Sequence, residues 1–221
     1  MGTLRAEDFL RSDGITLLLV LVLAGAAWLS SSAPRKWRAI LKGLFRMRLS
    51  PQMMREDLDL RQRSSLAAFF LSTVLIAVFF RQAMVEQGSD RMGPWGFLGL
   101  LGLLLLVVLV HVLLIKGLGA FFKGDGGATE YVSTLLLLLT VNGWTLFPVI
   151  VLATYLPGLR TEMMVLGMVL TMALLVFRWF RALWVGRDEG LQFRFILLYL
   201  CAAEIGPILI AIQAYWSTAH P

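Results

Sequence analysis

The sequence has little charge, few histidines and almost no cysteine. Asp, Glu, Lys and Arg make up 15% of its 221 residues and hydrophobic residues 58%, whereas soluble proteins are about 25% charged. The single cysteine excludes a disulfide within the chain and any cysteine-rich zinc motif. The shortage of charge argues against a soluble enzyme, a disordered chain and a nucleic-acid-binding domain. We therefore expect an integral membrane protein that binds no nucleic acid.

Six apolar windows of the sequence are long enough to cross a bilayer, which takes roughly 20 helical residues. They predict an all-α fold, a polytopic membrane helix bundle that forms one domain over residues 1–221. Pro148 interrupts the fourth window and predicts a kink there. The predicted spans are Gly14–Ser31, Leu66–Phe80, Trp95–Lys116, Glu130–Leu156, Met163–Phe177 and Arg194–Trp216.

Positive charge is distributed unevenly between the loops. The first, third and fifth loops hold 15 of the 20 Lys and Arg residues, and such residues stay cytoplasmic. The pattern predicts a bacterial inner-membrane protein with both termini in the periplasm. Small residues at 30–33 also fit a cleaved signal peptide, but the N-terminal tail lacks the positive region of one, so we favour a membrane helix.

The first loop, residues 34–63, is the most basic segment. Trp37, Leu41, Leu44 and Phe45 have the spacing of one helical face. This pattern predicts an amphipathic helix lying on the membrane between the first two spans, with anionic lipid headgroups as its partners. Docking of a cytoplasmic protein is the alternative. The residues that would bind lipid or protein are Arg35, Lys36, Trp37, Arg38, Lys42 and Arg46.

Few polar residues are predicted inside the membrane, where such groups are costly, and three of them are candidates for a functional or structural role. Glu204 lies near the middle of the sixth span, Asn142 at a similar depth in the fourth, and His111 in the third. Glu204 is expected to be protonated or paired, either as a structural lock between helices or as a proton-linked group. A lone intramembrane histidine excludes a bis-histidine haem, and we expect no catalytic residue, metal or cofactor.

The segment 198–207, Leu-Tyr-Leu-Cys-Ala-Ala-Glu-Ile-Gly-Pro, resembles the C-terminal signature of an uncharacterised Gram-negative inner-membrane family, domain of unknown function 4271. The resemblance extends to residues 52–56 and 142–148. It implies an inner-membrane protein of about this length without an assigned activity. Besides Asn142, the residues that it places in the family pattern are Arg55, Glu56, Tyr199, Cys201, Glu204 and Pro207.

Two functions fit these features. We favour a non-enzymatic inner-membrane subunit, acting in envelope biogenesis or protein export, that docks other integral membrane subunits. Its docking faces would be the glycines at 93, 96, 99 and 102 and the methionines at 164, 168 and 172. The alternative is a small proton-coupled transporter or channel that uses Glu204.

Overall fold

The computed structural model describes residues 13–32, 63–86, 94–121 and 125–188, which form helices and no strand. The five long helices, each apolar enough to cross a membrane, confirm the all-α prediction for this part of the chain. They are α1 (Asp13–Ser32), α2 (Arg63–Glu86), α3 (Pro94–Phe121), α4 (Asp125–Tyr155) and α5 (Arg160–Asp188), with a short 3-10 helix, Pro157–Leu159, before α5. The predicted sixth span and the amphipathic helix lie outside the described residues.

Two spans are longer than predicted. The span in α2 runs over Ser64–Glu86 and that in α5 over Pro157–Arg181. The predictions stopped short because hydropathy ends a span at its first charged residue, whereas Arg81 lies inside α2 and Arg178 lies inside α5. Pro148 also lies within α4, which continues through it; the kink remains a prediction.

The helices α2 and α4 form the centre of the bundle. Of their spans, 61% and 56% are buried, against 6% for α3. The helix α4 packs most closely on α2 and α5, while α1 packs on α2. The main core joins Leu75 and Phe79 of α2 to Leu146 and Ile150 of α4.

Glycine permits the close approach at this centre. A Cβ added to Gly143 would lie 2.5 Å from the Ser72 carbonyl oxygen, and one added to Gly167 would overlap the Phe79 ring. Small residues are the usual way in which membrane helices bring their backbones together. The α2 surface therefore fits glycine, and no larger residue, on both α4 and α5.

Candidate functional site

One end of the bundle gathers polar side chains from four helices, and we call it the polar end. Hydrogen bonds there join the beginning of α1, the end of α2, the end of α4 and the beginning of α5. Membrane helices must satisfy their polar groups within the protein, so this cluster marks where the helices are tied together. The side chains of the polar end are Thr16, Gln82, Glu86, Thr154, Tyr155, Arg160 and Thr161.

Gln82 is the most deeply placed member of the polar end. Its side chain is 1% exposed, and its Nε2 donates to the Thr154 Oγ1 at 2.8 Å. The Thr154 hydroxyl donates in turn to the Ile150 carbonyl at 2.8 Å. The Gln82 Oε1 is also buried and accepts no hydrogen bond from the described residues. Two consecutive hydrogen bonds thus link α2 to α4, and the Gln82 Oε1 remains an acceptor without a donor among the described residues.

The outer members of the polar end join α5 to α2, α4 to α1, and α5 to the end of α4. The Thr161 hydroxyl donates to Glu86 Oε1 at 3.2 Å, and the Tyr155 hydroxyl donates to Thr16 Oγ1 at 3.1 Å. Arg160 Nε donates to the Ala153 carbonyl at 3.3 Å, one of the last four carbonyls of α4, which have no partner within the helix. Arg160 therefore caps α4, where the helix dipole favours a cation.

Arg81 lies beside the polar end, on α2. Its guanidinium carbon is 5.9 Å from the centroid of the Phe97 ring, at the beginning of α3. A ring face attracts a cation at this distance. The contact attaches α3 to the same end of the bundle.

Asn142 has a partner that the sequence did not indicate. The Thr171 hydroxyl of α5 donates to Asn142 Oδ1 at 3.2 Å, in a half-buried position between α4 and α5. His111 lies half-buried on α3. Glu204, the third predicted intramembrane residue, lies outside the described residues. So do Arg35, Lys36, Trp37, Arg38, Lys42, Arg46, Arg55, Glu56, Tyr199, Cys201 and Pro207.

Sequence reasoning missed the two most buried long polar side chains, Gln82 and Arg181, each 1% exposed. Helical spacing carried the signal. Gln82 follows Leu75 and Phe79, which are core residues, at intervals of four and three. Arg181 would be expected in a basic and aromatic belt at the membrane surface; Trp184 fits that belt, at 62% exposed, but Arg181 is buried.

Two faces proposed for docking differ in exposure. Gly99 and Gly102 have nothing within 4 Å of an added Cβ, so these two glycines of the third span face away from the bundle. On α5, Met168 is 41% and Met172 61% exposed, whereas Met164 is 5% exposed and belongs to the core. The methionine stripe is therefore split between the surface and the interior.

The chemistry available at the polar end is hydrogen bonding and charge. Its amide, hydroxyl, guanidinium and carboxylate groups bind one another across helices. In the four ranges that the structure describes, no three His, Cys, Asp or Glu side chains come together as metal ligands. The hydrogen bonds of the polar end therefore fit a structural role, in which they hold the helices together.

The chain matches no curated protein and no solved structure. The model of one family, described as a domain of unknown function, covers residues 15–214, which include all five helices almost completely. The chain belongs to this family, DUF4271.

Proposed function

We propose that this protein is a non-enzymatic subunit of a larger assembly in the bacterial inner membrane, acting in envelope biogenesis or protein export. The observation that carries the proposal is the open face of α3 around Gly99 and Gly102. The helix packs on the bundle through its other side, with Phe97, Leu101 and Leu104 against the core. Its glycines are thus available to a helix of another chain.

Lipid contact alone does not explain these glycines. Glycine costs about 1 kcal/mol relative to alanine within a helix, and lipid chains need no close backbone approach. For Gly143 and Gly167, close packing on α2 offsets the lower helix propensity of glycine. A transmembrane helix of a partner would offset it at Gly99 and Gly102 in the same way.

The pairing of interior polar groups favours a structural role over transport. Gln82 binds Thr154, and Thr171 binds Asn142. Thr140 and Thr145 donate to carbonyls of their own helix. Transport pathways place ionisable groups in series, whereas these are neutral groups bound to one another.

The placement of charge supports the orientation of the subunit. Loops one, three and five hold 15 of the 20 Lys and Arg residues, and we assign them to the cytoplasm. The polar end then faces the periplasm. The basic segment of residues 34–63 would face the inner leaflet and bind anionic lipid.

The experiment is purification of the tagged chain at native level in mild detergent, after cross-linking in the membrane. We expect a second integral membrane chain in fixed ratio, reduced at least about tenfold in Gly99→Leu/Gly102→Leu, because leucine blocks close helix approach. The matched control is Val107→Leu, on the same helix and 52% exposed, which should retain the partner. Recovery of the wild-type chain alone and monodisperse would contradict the proposal.

A further inference from the structure

The Gln82 side-chain amide has two polar ends, and the described residues provide a hydrogen-bond partner for only one of them. The side chain is 1% exposed, its Nε2 donates to Thr154, and its Oε1 is buried without a donor. One end would stay unsatisfied even if the amide were turned by 180°, because Thr154 faces only one of the two. Buried polar groups in folded proteins are almost always hydrogen-bonded, so the amide requires a second partner.

The hydroxyl donors that the structure describes around the amide are already engaged. A hydroxyl group has a single hydrogen to donate. The hydrogens of Thr154, Tyr155 and Thr161 are all donated to other groups. The Nε hydrogen of Arg160 is likewise donated, to the Ala153 carbonyl. The second partner of the amide is therefore a further group that lies between the helices.

The charge and the burial of this position favour a small neutral molecule. Arg81 precedes Gln82 on α2, and Arg160 binds α4 one residue before Thr154, so the local charge disfavours a cation. The lone pairs of the Gln82 Oε1 disfavour an anion. Gln82 is among the fully buried side chains, which disfavours a large ligand. Water is small and neutral, and it both donates and accepts hydrogen bonds.

We propose that a single water molecule is bound between α2 and α4 at the Gln82 amide. It donates one hydrogen to Gln82 Oε1 and the other to a carbonyl group at the end of α4, where a helix leaves its last four carbonyls without a helical partner. Buried waters typically make about three hydrogen bonds to groups of this kind. The water is enclosed when α4 packs on α2, because the finished bundle buries Gln82 completely. The contact between the two helices at the polar end then consists of an amide, a hydroxyl and a water.

An experimental structure of the full chain in lipid nanodiscs, at a resolution that shows ordered water, tests the site directly. We expect a density peak about 2.8 Å from Gln82 Oε1, the usual distance of an O–H···O hydrogen bond. The peak should be lost in Gln82→Met, which has a similar length and no amide. The matched control is Thr161→Val, which removes an exposed hydroxyl of the polar end and should keep the peak. A clearly resolved Gln82 without the peak, or with a protein group, a lipid headgroup or an ion in its place, would overturn the proposal.

Solid-state NMR of the full chain in lipid vesicles gives an independent measure. With ¹⁵N-labelled glutamine, the side-chain amide of Gln82 should receive magnetisation from water protons, because the bound water lies beside it. Its signal is identified by its loss in Gln82→Met, and the transfer should persist in Thr161→Val. Transfer to other glutamines but none to Gln82 would contradict a bound water. The decisive result of both experiments comes from the wild-type chain, so neither depends on the folding of a variant.

Discussion

Gln82 and Thr154 share one hydrogen bond but depend on it unequally. Thr154 keeps its own bond to the Ile150 carbonyl. Gln82 Nε2 has Thr154 as its acceptor, and the amide is buried too deeply for water to replace it. At the scale of single residues, the two partners should therefore respond differently to substitution.

We expect Gln82→Leu to lower the unfolding free energy by about 0.6–1.7 kcal/mol, the range for interhelical hydrogen bonds in membranes. Thr154→Val should cost more, by about 1–3 kcal/mol, because it leaves a buried amide donor without an acceptor. The double variant should recover most of the difference. Unfolding in mixed detergent micelles measures all three, and equal costs for the two single variants would show that the amide finds another partner.

The sequence identified some interior polar residues but none of their partners. Asn142 was evident because it interrupts an apolar run, whereas Thr171 looks like an ordinary helical threonine. Pairing between helices depends on how each helix is rotated about its axis. A hydropathy profile does not show this rotation. The three- and four-residue spacing on which Gln82 and Arg181 lie shows part of it.

At the scale of elements, charged residues caused the errors in span length. The second span was expected to end at Phe80 because Arg81 follows it, yet α2 continues to Glu86. The Phe97 ring of α3 lies near the Arg81 guanidinium, and Thr154 of α4 binds Gln82. Contacts with neighbouring helices therefore stabilise α2 beyond Phe80. A hydropathy profile, which treats each segment separately, cannot show these contacts.

The basic segment Arg35–Arg46 leads to a prediction about an isolated element. As a peptide, it should bind vesicles of anionic lipid, become helical and dissociate as salt is added, because each cation contributes about 1 kcal/mol near such a surface. Circular dichroism and vesicle sedimentation measure this. Vesicles of neutral lipid are the control.

Exchange of Lys and Arg at Lys36, Arg38 and Lys42 separates lipid from protein as the partner of this segment. The charge stays the same, so lipid binding and cellular function should be retained, whereas bidentate recognition by a protein would be disturbed. Loss of function with normal membrane insertion would identify a protein-binding helix instead.

For the whole molecule, the number of described helices was predictable but their arrangement was not. The helix α3 is the most apolar of the five spans and the least buried, at 6%. In a membrane, apolar residues face lipid as readily as protein. The central helices are instead those with small and polar contacts, such as Ser72 and Gly143, and those contacts become evident only when helices are placed side by side.

The orientation of the whole molecule can be tested with one cysteine. In a Cys201→Ala background, Ser217→Cys should react with a membrane-impermeant maleimide in intact spheroplasts, because the charge distribution predicts a periplasmic C-terminus. Arg48→Cys, in the first loop, should react only after the membrane is permeabilised. The reverse pattern would invert the topology.

The residues joined by the hydrogen bond between Gln82 and Thr154 are 72 positions apart in the sequence, so Gln82 is synthesised well before its partner. A ribosome adding about 5–20 residues per second needs roughly 4–14 s to make the intervening chain. During that interval α1, α2 and α3 have left the ribosome without the helix that completes their core. Until α4 is synthesised, the Gln82 amide must therefore form its hydrogen bonds with water, lipid headgroups or an insertion factor.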